Sequence, residues 1–369
     1  MQVTTENKVV PKLRFGEFVS EWKTNSFGGL LKCSRLGGNY ANSENPTENP
    51  LIKMGNLGRG NISLNKVLYI EQGETLDNKD LIEYGDLFFN TRNTLDLVGK
   101  VAIWKNELSR AFYNSNLMYI KFDNNFFMNY RLNSFEGIKG LRRLATGTTS
   151  VAAIYTRDLL KLKLIVPSLP EQKKIASFLS AVDDKFQKLT KKKELLEEYK
   201  KGVMQQIFTQ ELRFKDDNGN NYPDWEEKML GEVDIYISDG NYGELYPKAS
   251  EMKQSGIPFV RANNIKNLRL VWNDMRYIDA ELHSVLTSGH LKTDDILVTT
   301  RGDIGMVAIV SEDFNGANIN AQICLLRVGQ ELNAYFLLQF LGSVNGKKQF
   351  KQLQTGSALK QLPKGNLRK

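Results

Sequence analysis

The strongest constraint on this chain is that it repeats itself. Leu13-Arg14-Phe15 recurs as Leu212-Arg213-Phe214, a tryptophan follows each (Trp22 and Trp225), and a glycine follows six residues later (Gly28 and Gly231). Lys53-Met54-Gly55-Asn56-Leu57 aligns with Arg261-Ala262-Asn263-Asn264-Ile265. Gly85-Asp86-Leu87-Phe88-Phe89-Asn90-Thr91-Arg92 aligns with Asp294-Asp295-Ile296-Leu297-Val298-Thr299-Thr300-Arg301. Val101-Ala102-Ile103 answers to Val307-Ala308-Ile309, and Thr146-Gly147-Thr148 to Thr355-Gly356-Ser357. The offset drifts from 199 to 209, so insertions fall between blocks while their order holds. Chance similarity does not stay collinear, and an ordered set of weak matches marks two copies of one unit.

Between the copies lies a segment of different character. Lys161-Leu162-Lys163-Leu164-Ile165-Val166-Pro167 alternates as a short strand does. Ser168-Leu169-Pro170-Glu171-Gln172 then reads as a helix start, with proline in the first turn and an acid near the positive end of the helix dipole. A helical pattern continues to about Gln210. Ile175, Leu179, Val182, Phe186, Leu189, Lys193, Leu196, Lys200, Val203 and Ile207 alternate by four and three, and eight of these ten are apolar. That period is a coiled-coil seam rather than a broad globular stripe. At ~1.5 Å per residue, residues 171–209 would span roughly 58 Å. Lys193 and Lys200 interrupt the seam, a device that sets register or partner choice. Lys191-Lys192-Lys193 reads either as a solvated, partner-facing cluster or as a track for phosphates.

Composition narrows the function classes. The chain has 369 residues with a formal charge of +8, and its 41% hydrophobic and 25% charged residues are ordinary for a folded protein. Cys33 and Cys324 are too few for a disulfide framework and fit a reducing cytoplasm. With them, His283 and His290 supply too few soft ligands for a closed zinc site, so no metal site is expected. The first 15 residues lack the apolar region of a secretory signal, and no run of about 18 apolar residues suggests a membrane span. Residues 346–369 hold seven basic and no acidic residues, which leaves only +1 for residues 1–345. The matching stretch 137–161 carries Lys139, Arg142, Arg143, Arg157 and Lys161 against Asp158 alone. Positive charge therefore sits at one repeated position, beside the Thr-Gly loops, where a polyanion could be gripped twice.

Residues 22–160 and 225–369 read as mixed regions of short strands and loops. The loops carry side chains suited to nucleic acid: arginine pairs with guanine, asparagine with adenine, and hydroxyls with the backbone. In the first copy these candidates are Asn39, Tyr40, Arg59, Asn90, Arg92, Arg142, Arg143, Thr148 and Thr149. In the second they are Asn241, Tyr242, Arg261, Asn263, Thr300, Arg301, Ser357 and Lys360. Each has a plainer reading, because Gly, Asn and Asp dominate turns. A structural ion pair is as good an account of Arg92 and Arg301 as a DNA contact.

No catalytic constellation emerges. Pro223-Asp224-Trp225-Glu226-Glu227-Lys228 superficially matches a nuclease's Pro-Asp…Glu-x-Lys. The two carboxylates are too close together in sequence, and the matching Val19-Ser20-Glu21-Trp22-Lys23-Thr24 lacks the pattern. Gly58-Arg59-Gly60 is too short for a nucleotide fingerprint, and there is no Gly-Lys-Ser/Thr P-loop or Asn-Pro-Pro-Tyr-like methyltransferase motif. The chain reads as a binder.

The repeat with a long helix at its centre resembles the specificity (S) subunit of type I restriction–modification enzymes. The resemblance spans nearly the whole chain. It is carried by Leu212-Arg213-Phe214 with Tyr222-Pro223-Asp224-Trp225-Glu226, and by Thr146-Gly147-Thr148 leading to Val166-Pro167-Ser168-Leu169-Pro170-Glu171-Gln172-Lys173-Lys174-Ile175. It implies an α+β chain: two target recognition domains, 1–160 and 211–369, around a central spacer at 161–210 with a long conserved coiled-coil helix. Each domain would read half of a bipartite site in double-stranded DNA, and the helix would set the gap; ~10–10.5 base pairs return a groove to the same face. The implied partners are two DNA adenine-methyltransferase (M) subunits and translocase–nuclease (R) subunits. S-adenosylmethionine, ATP and Mg would belong to those partners, with no cofactor bound by this chain, no membrane contact, and a cytoplasmic location. The family pattern includes a second long helix that is expected to be missing after the second copy here. Two other readings stand beside this one: a self-contained nuclease or methyltransferase, and a coiled-coil scaffold without DNA contact.

Overall fold

A computed structural model describes residues 11–243 and 246–369. Residues 1–10, most of the stretch without a secretory signal, lie outside the described residues. The chain divides into two compact units, the first ending at Thr190 and the second beginning at Lys191. Among the described residues no helix is long and apolar enough to cross a membrane.

Unit one is built on an antiparallel four-stranded sheet in the order Cys33–Leu36, Leu117–Lys121, Leu87–Asn90, Val101–Ile103. The strand Leu87–Asn90 is buried throughout, because both faces of the sheet are covered. Successive side chains of a strand point to opposite faces. Leu87 and Phe89 enter a core with the helices Asn125–Asn133 and Phe135–Leu144, through Phe127, Met128, Leu132 and Leu141. Phe88 enters a second core with Ile52, Trp104, Tyr113 and Leu117. Full burial of one such side chain is worth about 1.5–3 kcal/mol.

Unit two repeats this plan. Ile235–Asp239, Ile323–Val328, Ile296–Thr299 and Val307–Ile309 stand in the same order within a six-stranded sheet. Ile296 and Val298 face the helices Ala334–Gly342 and Val344–Leu353, while Leu297 faces a separate core with Val260, Leu291 and Leu325. Even the caps recur. Asn124 and Asn333 accept from Phe127 N and Phe336 N, and Ser134 and Ser343 from Gly137 N and Gly346 N. Side-chain oxygens there satisfy amide groups that a helix start leaves unpaired.

A buried asparagine frames the same loop in both units. Asn56 Oδ1 accepts from Lys53 N at 2.9 Å, and its Nδ2 donates to Ser63 O and Lys66 O. Asn264 Oδ1 accepts from Arg261 N at 3.0 Å, and its Nδ2 donates to Val271 O and Asn273 O. Close backbone approach recurs too: a Cβ on Gly37 would lie 2.3 Å from Tyr113 O, and one on Gly240 would lie 2.4 Å from Ile319 O.

The long helix runs from Leu169 to Phe208, 40 residues, or ~60 Å at 1.5 Å per residue. Its first turn is fastened in unit one. Lys163–Val166 pairs antiparallel with Lys23–Ser26, and Arg14 donates Nε to Glu171 Oε1 at 2.7 Å and Nη2 to Oε2 at 2.6 Å. Trp22 Nε1 donates to the same carboxylate at 3.1 Å. In unit two Phe208 packs among Trp225, Phe336 and Phe340, with ring centroids 5.4–6.1 Å away.

Asn56→Ala and Asn264→Ala each remove three bonds to buried or half-buried backbone, so each lowers the stability of its own unit by about 2–3 kcal/mol in denaturant unfolding. Hydrogen bonds from Arg14 hold the Glu171 carboxyl below the usual range. A carboxyl depressed on folding stabilises above its unfolded pKa, about 4.3, and that stability is lost as pH falls through the folded value. Glu171→Gln therefore lowers the thermal midpoint near neutral pH, and its difference from the parent shrinks on acidification below about 4.

Candidate nucleic-acid interface

Each central strand runs directly into the loop that carries the paired arginines. In unit one Asn90 is fully buried and its Oδ1 accepts from Arg92 N at 3.2 Å, so it shapes the exit from the strand. Thr91 O accepts from Ile154 N, and Arg92–Asn93 then pairs with Ala152–Ala153, which pairs with Thr146–Gly147. The tip of that hairpin carries Thr148 and Thr149, exposed beside exposed Arg92. Gly147 has φ +126°, and a Cβ there would lie 2.3 Å from Val151 O, so glycine closes the tip.

Unit two builds the same exit from different residues. Thr300 is buried, its Oγ1 donates to Gln322 O at 3.0 Å, and its carbonyl accepts from Leu362 N. Thr355 bridges to Gln361, and Gly356 has φ +92° with Leu359 O 2.4 Å from any Cβ. Ser357 and Lys360 are exposed on this tip. Arg301 is exposed, its guanidinium lies over the Tyr242 ring at 5.9 Å, and Tyr242 Oη donates to Ala321 O at 2.7 Å. Among the described residues Arg301 forms no ion pair.

The helix before each hairpin presents cations in register. Lys139 and Arg142 are the fifth and eighth residues of Phe135–Leu144, and Lys348 and Lys351 hold those places in Val344–Leu353. Arg142 and Arg143 lie in the last turn of their helix, and Lys351 in the last turn of its own, where a cation also favours the helix dipole. Arg142 meets Asp96 at 3.5 Å, and Arg59 donates to Asp96 O at 3.2 Å. Burial, then the charge of Arg142, pulls the Arg59 pKa down. In unit two Lys347, Lys351 and Lys360 surround a cavity of about 860 Å³ with Lys200, Lys201 and Glu197 of the long helix.

Of the other candidates Tyr40 and Asn241 are turned into the fold, Asn39 is exposed, and Arg261 and Asn263 are tied to an acid. Tyr40 is buried and donates to Asp80 Oδ2 at 2.7 Å, while Arg35 donates to Oδ1 at 3.0 Å. Burial, then that bond to Asp80, pushes the Tyr40 pKa up to about 12. Asn39 is exposed on a polar cavity of about 500 Å³ shared with Glu74, Asp77 and Asp80, whose charges oppose a phosphate. Asn241 is buried, donating to Thr287 Oγ1 at 2.8 Å and accepting from Ser288 N. Arg261 and Asn263 both donate to Asp274. In the Pro223–Lys228 run Asp224 pairs with Arg213 and Glu226 with Lys228, so the carboxylates do not converge.

Along the helix seam, Ile175 and Leu179 are half-buried in unit one, and Val203 and Ile207 in unit two. Val182, Phe186, Leu189 and Leu196 between them are about half exposed or more. Lys193 pairs with Glu197 at 3.9 Å one turn on, and Lys200 lines the cavity. The Arg35–Asp80 pair escapes a reading by sequence, because its partners stand 45 positions apart. Asn56 and Asn264 occupy matched places in the repeat, but an Asn in a turn does not by itself reveal that it frames a loop.

Comparison with known proteins agrees with this duplicated plan. Two solved structures share the fold. One is the S subunit of a type I restriction–modification system from M. genitalium: TM-score 0.56, 15% identity, 98% of this chain and 90% of that one. The other comes from work on assembly and conformational transition of the type I R-M system: TM-score 0.50, 16% identity, 94% of this chain and 84% of that one. Among curated relatives, the MjaX type I restriction enzyme specificity subunit of Methanocaldococcus jannaschii is 24% identical over 376 residues, 96% of this chain and 83% of the relative. The EcoBI specificity subunit of Escherichia coli is 26% identical over 301 residues, 76% of this chain and 60% of the relative, so less than two thirds of that protein's length is matched. Residues 19–198 and 222–369 match the family described as type I restriction modification DNA specificity domain. The matches take in most of both units, and the chain belongs to that family.

Proposed function

We propose that this chain is the non-catalytic DNA-recognition subunit of a type I restriction–modification complex. Each unit reads one half of a split target in double-stranded DNA, with residues 1–160 and 211–369 as recognition domains and 161–210 as spacer. The long helix fixes the gap between the halves and offers its exposed seam to partner subunits. Methylation and ATP-dependent cleavage reside in partner M and R subunits, which also hold S-adenosylmethionine, ATP and Mg.

One observation carries this reading. The same scaffold occurs twice, cap for cap, and each copy ends in exposed loops of different chemistry: Arg92, Thr148 and Thr149 in one, Arg301, Tyr242, Ser357 and Lys360 in the other. A shared frame with unlike tips suits two half-sites of unlike sequence. Cations in register on the preceding helices suit a phosphate backbone, which positions without specifying.

Methylome sequencing of cells carrying this chain with its methyltransferase is expected to give a split motif, two short halves around a fixed gap. Arg301→Ala is expected to relax only one half and Arg92→Ala only the other. A continuous motif, or one unchanged by either variant, contradicts the reading. The Lys348→Ala, Lys351→Ala double variant weakens binding to all sequences alike. It lowers the slope of log affinity against log salt by about 0.9 for each phosphate that is no longer neutralised. An unchanged slope removes these lysines from the interface.

A further inference from the structure

Each unit holds one aliphatic side chain out into solvent at the tip of its Thr-Gly turn. Val151 is 69% exposed and Leu359 88%, and Leu359 is the most exposed large apolar side chain described in unit two. The two occupy the same place. In each unit the carbonyl of this residue stands against the turn glycine: Val151 O would lie 2.3 Å from a Cβ on Gly147, and Leu359 O 2.4 Å from one on Gly356. The backbone fixes both. Thr148 N donates to Val151 O at 2.9 Å, Val151 N donates to Thr148 Oγ1 at 3.3 Å, and the next residue, Ala152, is fully buried. Around Leu359, Thr355 and Gln361 exchange backbone bonds at 2.8 and 2.9 Å, and Leu362 N donates to Thr300 O.

The surroundings of each tip select what covers it. Thr148, Thr149 and Ser150 share the first tip, with exposed Arg92 on the adjoining strand and Arg142 and Arg143 in the last turn of the preceding helix. On the second tip Ser357 and Ala358 precede Leu359, Lys360 follows it, and Lys351 stands in the last turn of the preceding helix. The core of a protein–protein interface is depleted in lysine and serine. One aliphatic group ringed by cations and hydroxyls therefore suits a protein partner poorly. It suits a base step of duplex DNA, where the apolar gap between stacked bases is flanked by phosphates that cations and hydroxyls bond.

We propose that Val151 and Leu359 are wedges that enter a base step, one in each half of the target, and partly unstack it. The inference rests on the DNA-recognition reading above and adds to it a deformation of the duplex. An inserted aliphatic group separates neighbouring bases and kinks the helix by about 20–90°. The cost of unstacking depends on the step, and pyrimidine–purine steps yield most easily. Each wedge thus favours such a step without bonding a base edge, and adds specificity that the arginines and hydroxyls of the same loops do not supply.

The test uses the full chain assembled with its methyltransferase, at concentrations that saturate duplexes carrying the split target found by methylome sequencing. A fluorescent purine analogue that brightens on unstacking replaces one purine at a time in each half, the methylated adenines excepted. With the parent chain, fluorescence is expected to rise several-fold beside one step in each half. Val151→Ser is expected to abolish the rise only in the half that Arg92→Ala relaxes, and Leu359→Ser only in the half that Arg301→Ala relaxes, while Leu359→Met keeps it. Both side chains are exposed, so the serine variants fold as the parent does. Binding of the split target with no brightened step, or brightening that the serine variants leave unchanged, overturns the wedges and leaves the DNA-recognition reading standing. Serine variants that fail to assemble with the methyltransferase in the absence of DNA place a protein on the tips and overturn the wedges too. A parent complex that binds no split target removes the recognition reading itself, and the wedges with it.

Discussion

Everything the loops present depends on the central strand of each unit being buried on both faces. Leu87–Asn90 and Ile296–Thr299 are four residues long, and every side chain in them is buried. Alternate residues serve two different cores, so a slip of one residue would exchange the two sets and cost both. The end of such a strand is a fixed point. Arg92 and Arg301 leave from that point, and the hairpins with Thr148 and Ser357 are anchored to it through Thr91 O and Thr300 O.

This frame separates what must stay from what is free to differ. Asn56 and Asn264 satisfy loop amides from within, and Asn114 Oδ1 and Asn320 Oδ1 do the same for Asn116 N and Gln322 N. Outside the frame the units diverge. Unit one offers an acidic cavity behind Asn39 and a pair of arginines around Asp96; unit two offers a ring of lysines and an arginine resting on a tyrosine. A scaffold that tolerates such different surfaces can carry two unrelated recognition tasks, since function lies in sites placed on folds.

Much of this was readable in the residues themselves. Collinear blocks revealed the duplication because buried strands and caps tolerate few residue types. The four-three period revealed the long helix because its apolar positions recur locally. The individual contact residues were less legible. Asn90, Asn241, Thr300 and Tyr40 looked like loop groups facing a ligand, and the fold instead directs them inward to shape strand exits and loops. A polar side chain in a turn has the same local signature whether it bonds its own backbone or waits for a partner.

By itself the sequence determined that there are two copies of one unit, that a long amphipathic helix lies between them in the chain, and that cations recur beside the Thr-Gly turns. These are properties of spacing and residue type, which act over a few residues. Only the tertiary structure decided which cations are paired, which asparagines are framing, and that Arg14 and Glu171, 157 positions apart, meet in one ion pair. Those outcomes depend on which distant segments meet and on how much water is excluded where they do, and no local pattern encodes either.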